Sequence, residues 1–97
     1  MARYIALIDW TDQGVRSFKE TVDRAGQAEQ LAQRLGARLV DLYWTLGEHD
    51  LVGVLEAPDD QTATAFSLSV GAQGNIRTKT LRAFTRDEMQ GILEKTA

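Results

Sequence analysis

The order in which two hydrophobic periods alternate along the 97 residues constrains this chain more than any other feature. Short runs rich in aliphatic and aromatic residues predict four strands, at 4–10, 38–46, 51–57 and about 75–84. Apolar residues at steps of three and four predict one helix over 15–35, and the acidic cap at Asp59 and Asp60 predicts another, from about 59 to 70. The predicted order is therefore strand, helix, strand, strand, helix, strand.

That order is typical of the split βαβ arrangement. It predicts the α+β class and a ferredoxin-like βαββαβ fold, with a four-stranded antiparallel sheet and two helices on one face. Thr85 and Glu88 have capping-box spacing and predict a short C-terminal helix. No linker or repeat divides residues 1–97, which we take as a single domain. The end of strand one, the hairpin between strands two and three, and the start of strand four should meet at one edge, here called the top edge.

The net charge and the composition exclude several classes of binding partner. A net charge of −3 gives no basic surface for nucleic acid, and the absence of cysteine excludes a disulfide framework and thiolate-rich metal sites. We find neither a signal peptide nor an apolar run long enough to span a membrane. We therefore expect a cytoplasmic protein that binds neither nucleic acid nor membrane.

The predicted strands carry large apolar residues on both sides, although helices should cover only one. In strand one, Tyr4, Ala6, Ile8 and Trp10 alternate with Ile5 and Leu7. Strand three separates Leu51 and Leu55 from Val52 and Val54, and strand two separates Leu39 and Tyr43 from Val40, Leu42, Trp44 and Leu46. A contiguous apolar face seldom stays exposed on a monomer. Either the C-terminal helix folds over it or, as we prefer, a second copy covers it.

The first helical stripe is expected to form one buried face. Its members are Val15, Phe18, Val22, Ala25, Ala28, Leu31, Ala32 and Leu35.

Polar residues that the topology brings to the top edge are the candidate site. His49, the only histidine, lies between Glu48 and Asp50 in the hairpin and could carry a proton, but adjacent residues do not converge on a metal ion. Asp9 and Arg77 could orient a small polar ligand or simply pair with each other. The predicted ligand-binding residues are Asp9, Thr11, His49, Asp50, Asn75 and Arg77. For Asp9, Arg77, His49 and Asn75, the alternative is a structural role as a turn, cap or ion-pair residue. We predict no metal site and name no catalytic residue.

Five aromatic residues fall at strand and helix positions: Tyr4, Trp10, Tyr43, Trp44 and Phe66. They suit a plain core better than the alternative, an aromatic pocket between sheet and helices or between two sheets.

Several separated motifs closely resemble the GYD-domain family. They are residues 11–14 (TDQG), 45–52 (TLGEHDLV), 56–60 (EAPDD), 74–78 (GNIRT) and 80–84 (TLRAF). The resemblance implies a relation to dimeric α/β barrel proteins, whose ferredoxin-like units pair through their sheets, and a family largely without an assigned function. His49 stands where the resemblance implies the tyrosine for which the family is named.

Together these observations predict a homo-oligomeric module that binds a small, partly apolar ligand and needs no cofactor. The alternative is a cofactor-independent enzyme, similar to a monooxygenase or isomerase, which only the analogy with dimeric α/β barrels suggests. A third hypothesis is a regulatory protein that docks a partner through its C-terminal helix.

Overall fold

In the computed structural model, which describes residues 1–97, one antiparallel sheet is formed by four strands. They are β1 (Ala2–Trp10), β2 (Arg38–Trp44), β3 (Leu51–Ala57) and β4 (Ile76–Ala83), in the order β2-β3-β1-β4. Four helices accompany them: α1 (Asp12–Arg16), α2 (Thr21–Arg34), α3 (Asp60–Ala72) and α4 (Arg86–Glu94). The predicted α+β, ferredoxin-like fold class is confirmed.

Helices α3 and α4 each begin directly after a residue whose side chain caps the helix N-terminus. The Asp59 side chain accepts a hydrogen bond of 2.8 Å from the Thr62 backbone N–H, which satisfies a donor at the start of α3. Thr85 and Glu88 form the predicted capping box, each side chain accepting from the other's backbone N–H. Both starts agree with the sequence prediction.

The single helix predicted over 15–35 is wrong in its first third. The chain forms the short α1, leaves helical geometry at Ser17 and makes a 3-10 turn at Phe18–Glu20 before α2 begins. Arg24 stabilises this break, because its guanidinium donates to the Ser17 carbonyl at 3.0 Å and the Gly14 carbonyl at 3.2 Å. As a result Val15, Phe18 and Val22 are 46–67% exposed and do not form a buried stripe.

One face of the sheet packs against α2 and α3 and holds the core. Tyr4, Ile8, Leu51 and Leu55 point to this covered face and are buried, as the alternation in strands one and three predicts. We call the opposite surface the free face; its larger apolar residues are Ile5, Leu7, Tyr43, Val52, Val54 and Leu81.

The predicted alternation of strand two is wrong because β2 contains a bulge. The pairing shifts between Leu39 and Asp41, so that Leu39 lies opposite Leu55 and Leu42 lies opposite Gly53. A bulge inserts one residue and reverses the sides of those that follow. Leu39 and Leu42 therefore both face the helices, whereas Tyr43 belongs to the free face.

The C-terminal helix α4 does not cover the free face. It makes no extended contact with any strand or with another helix of its own chain, and Met89 and Leu93 are about half exposed. The radius of gyration is 14.5 Å, against about 12.5 Å for a compact domain of this length. The alternative in which the chain's own C-terminal helix covers the free face is thereby excluded.

None of the four helices has both the length and the apolar character needed to cross a bilayer.

Candidate functional site

The top edge is built as the topology predicts. Asp9 lies opposite Arg77 across β1 and β4, and Ile8 lies opposite Leu51 at the start of β3. The end of β1, the β2–β3 hairpin and the start of β4 therefore adjoin one another.

Asp50 ties the hairpin to the end of β1. Its backbone N–H donates to the Ile8 carbonyl at 3.0 Å, and its carboxylate accepts from the Trp10 N–H at 2.9 Å. The first bond joins two backbone groups, and the second joins the Asp50 carboxylate to a backbone N–H. Both therefore hold the hairpin against the strand.

The imidazole of His49 lies beside Asp9, with Nδ1 at 3.2 Å from the carboxylate oxygen Oδ1. Both side chains are partly exposed. The Asp9–Arg77 ion pair considered from the sequence does not form, and Arg77 takes part in none of the chain's ion pairs. No three carboxylate or imidazole side chains lie together as metal ligands would.

Thr11 and Asn75 join α1 to the start of β4. The Thr11 hydroxyl donates to the Gly74 carbonyl at 2.5 Å and accepts from the Gly14 N–H at 3.1 Å, which caps α1. The Thr11 N–H donates to the Asn75 carbonyl at 3.1 Å, and the Gln13 amide donates to the Asn75 side chain at 2.9 Å. Both predicted residues thus have structural partners.

Gly14 is required at this junction by close approach. A Cβ atom placed on it would lie 1.9 Å from the Asn75 carbonyl oxygen, far inside contact distance. Gly74 is required by its backbone, because its φ of +84° is a conformation that other residues rarely adopt.

An open groove of about 1340 Å³ runs between α3 and β4 on the covered side of the sheet. Its top end is lined by Trp10, Thr11 and Arg77, and its lower end by Tyr4, Asp60 and Arg82. Two of the six predicted ligand residues, Thr11 and Arg77, therefore border a real depression in the surface.

Beneath the helices lies a smaller cavity of about 80 Å³, between the covered face and α2 and α3. Most of its lining is apolar, including Ala6, Ile8, Leu42, Phe66 and Val70. Typical pockets for drug-sized ligands are about 300–1,000 Å³. This cavity alone therefore suits only a small group.

The groove and the cavity adjoin along a shared wall, which we call the throat: Trp10, Ser67, Ile76, Thr78 and Thr80. Together they offer an apolar interior and a polar, open exterior. Asp9, His49, Asp50 and Asn75 line neither space.

The sequence prediction missed the three hydroxyl residues of the throat, Ser67, Thr78 and Thr80. A signal for two of them existed, because Thr78 and Thr80 occupy positions of β4 that alternate onto the covered face, where apolar residues are expected.

The aromatic residues lie in different places: Trp10 and Phe66 line the cavity, whereas Tyr43 lies on the free face. The Trp44 indole N–H donates to the Thr21 hydroxyl at 3.0 Å.

At the lower end of the groove, the buried Tyr4 hydroxyl donates to the Asp60 carboxylate at 2.5 Å. This bond, with burial and the nearby negative charge, raises the pKa of Tyr4 above its ordinary value. Arg82 lies over the Tyr4 ring at 5.6 Å and donates to the carbonyls of Arg3 and Ala83. The phenol therefore stays protonated and links β1 to the start of α3.

Comparison with known proteins agrees with this fold. The family model described as GYD domain matches residues 4–93, which confirms the resemblance noted from the sequence. The crystal structure of TTHA0845 from Thermus thermophilus is similar with a TM-score of 0.57 and 20% identity, covering 88% of this chain and 95% of that one. At that identity the likeness concerns the fold alone. No protein with a curated description matches the chain.

Proposed function

This chain belongs to the GYD-domain family, and from that premise we propose that it is a homodimeric module which binds a small, partly apolar ligand. The two copies pack through their free faces. Each copy holds its ligand with the apolar part in the cavity and the polar part in the groove. The throat, where an apolar interior meets an open polar surface, is the observation that carries the binding proposal.

The free face supports the dimer. Ile5, Leu7, Val52 and Val54 lie next to one another at its centre, on paired positions of β1 and β3, and no helix of the same chain covers them. Such a patch is rare on the surface of a soluble monomer. A second copy offers the same apolar surface, and two-fold packing buries both patches at once.

Light scattering after size-exclusion chromatography tests the dimer. The wild-type chain should have twice the monomer mass of 10.8 kDa. Val54→Arg places a charge at the centre of the proposed interface and should give the monomer mass, because burying an unpaired charge is strongly unfavourable. The matched control is Gln27→Arg, on the exposed side of α2, which should leave the dimer intact.

Tyr43→Lys provides a second interface variant that a folded monomer tolerates, because Tyr43 is already exposed within one chain. Circular dichroism distinguishes dissociation from unfolding in both variants. A wild-type monomer at every concentration, or two folded interface variants that both remain dimers, rules out packing through this face.

Ligand binding is supported by the shape and chemistry of the two adjoining spaces. The cavity wall is mostly apolar, and the groove wall carries hydroxyl, amide and charged groups. Ligand pockets combine these two features, an apolar lining and a few polar groups that fix orientation. Thr11 and Arg77 would meet the polar end of a longer ligand. For Asp9, His49, Asp50 and Asn75, ligand contact stays a prediction.

A cavity-filling pair of variants tests the site. Pentan-2-one titrated into ¹⁵N-labelled protein should shift amide signals of cavity and throat residues, with a dissociation constant of about 1 mM, which is within the limit for so small a ligand. Ala6→Leu fills the cavity from β1 and should abolish those shifts. Ala65→Leu adds the same atoms to the exposed side of α3 and should preserve them.

If the cavity is a void that no ligand uses, Ala6→Leu should instead raise the free energy of unfolding by about 0.5–2 kcal/mol and leave pentan-2-one binding unchanged. If Ala6→Leu binds pentan-2-one as tightly as Ala65→Leu does, the cavity is not the ligand site.

A further inference from the structure

The throat contains no ionisable side chain. Two of its three hydroxyls face each other from opposite walls, with Ser67 Oγ on α3 at 3.3 Å from Thr80 Oγ1 on β4. Hydrogen bonds between hydroxyls are usually about 2.7–2.8 Å long. This one is therefore weak, and a polar group of a ligand can replace it while bonding to both side chains.

Charges near the cavity are already paired. Arg24 is the only charged residue in the cavity wall, and its guanidinium donates to the Ser17 and Gly14 carbonyls and lies 4.0 Å from the Glu20 carboxylate. No free cation or anion is left to neutralise an ionised group that enters the cavity.

The charges of the groove stand at its two ends and are mixed. Asp12 and Arg77 border the top end, and Asp60 and Arg82 border the lower end, one anion and one cation at each. Neither end selects one sign of ligand charge. An ionised carboxylate or phosphate drawn against the partly buried Ser67 and Thr78 would lose part of its water without gaining a charged partner from the throat itself, which is unfavourable.

We propose that the ligand of this site is uncharged: a short alkyl group fills the cavity, and a hydroxyl, carbonyl or amide group binds Ser67 and Thr80 at the throat. This inference rests on the proposed binding function and names its ligand class. A serine or threonine hydroxyl both donates and accepts, so the pair can bind any of these three groups. The size follows from the cavity of about 80 Å³, roughly half the volume of an engineered cavity that holds benzene.

The test compares two five-carbon probes that differ in charge, pentan-2-one and pentanoate, by ¹⁵N titration at neutral pH. Pentan-2-one should bind at least tenfold more tightly than pentanoate, with its largest shifts at Ser67, Thr78 and Thr80.

Three variants assign the polar contact. Ser67→Ala and Thr80→Val each remove one throat hydroxyl and should weaken pentan-2-one binding by about two- to tenfold, the usual effect of losing one hydrogen bond. Thr64→Val is the control, because the Thr64 hydroxyl already donates to the Asp60 carbonyl within α3 at 2.7 Å. It should bind pentan-2-one as the wild type does.

The outcomes separate this inference from the proposed function. If pentanoate binds as well as pentan-2-one, and Ala6→Leu removes both, the binding site stands and the uncharged ligand class is wrong. If the throat variants bind like the wild type, the polar contact is wrong. If neither probe binds the wild type, the proposed function fails and takes this inference with it.

Discussion

The two faces of the sheet are made from the same strands and have different surroundings. In β3, Leu55 is 3% exposed on the covered face. On the free face, Tyr43 is 58% exposed and Leu81 is 51% exposed. Both side chains are large and mostly apolar, like those on the covered face. Alternation along a strand decides which side a residue takes, but what covers that side is decided elsewhere.

This difference separates intrachain folding from assembly. The covered face finds its partners in α2 and α3 and forms the core of one chain. The free face has an apolar centre with no partner in the chain. Substitutions on the covered face should therefore act at any protein concentration, and those on the free face should act in proportion to dimer formation.

The largest effect is expected from Leu55→Ala. Removing a buried leucine side chain leaves a cavity and typically costs about 2–5 kcal/mol. Urea unfolding should show this loss equally at low and high protein concentration. A loss below about 1 kcal/mol would mean that the covered face is packed much more loosely than its burial indicates.

Leu7→Ala is the matched change on the free face. In the monomer it should cost about 1 kcal/mol or less, because Leu7 remains partly exposed within one chain. Above the dimer dissociation constant the loss should grow, since the wild type gains stability from association and the variant gains less. Equal losses at all concentrations would contradict an interface at this face.

Tyr4→Phe removes one hydrogen bond from the covered face and should cost about 1 kcal/mol, near the middle of the usual range. The pKa of Tyr4 is raised in the folded state, chiefly by its bond to Asp60. The stability that the neutral phenol contributes is complete below the ordinary pKa of about 10 and is lost as pH rises through the higher folded value. Wild-type protein should therefore lose stability above about pH 10, and Tyr4→Phe should lose less over the same range. Parallel curves would contradict the Tyr4–Asp60 bond.

Most of the fold could be predicted because its signals are local. The strands, the Asp59 cap and the Thr85–Glu88 capping box each depend on a few neighbouring residues. The break at Ser17 could not be predicted, because it is stabilised by hydrogen bonds from the Arg24 guanidinium to the Gly14 and Ser17 carbonyls, which depend on the folded geometry. The bulge in β2 was missed for a similar reason, because register is set by the paired strand.

The candidate site was predicted less well than the fold. Topology correctly brought the six polar residues to one edge, but it could not show that Thr11, Asp50 and Asn75 bond to backbone or neighbouring polar groups there. The throat was missed because Ser67 lies on α3 and Thr80 on β4, and only tertiary packing places their hydroxyls together. A search for polar residues on otherwise apolar faces would have identified Thr78 and Thr80.

The smallest effect belongs to Glu56, on the free face near the lower end of the sheet. Arg38 donates to its carboxylate at 3.0 Å, and Arg3 lies 3.5 Å from the same oxygen. The bond from Arg38, with the positive charges of both arginines, lowers the pKa of Glu56. A lowered folded pKa stabilises the protein above the ordinary value of about 4.3, and this contribution disappears as pH falls below it.

Glu56→Gln should therefore flatten the loss of stability between about pH 5 and 3 without abolishing it, because the pKa values of Asp59 and Glu88 are lowered as well. Urea unfolding across that range measures the slope, and Glu29→Gln, an exposed residue in no ion pair, is the control. If the variant and the control have the same slope, the arginine pair does not act on Glu56 in solution. If the variant also changes the dimer dissociation constant, the free-face interface extends to this end of the sheet, which an effect on monomer stability alone would not produce.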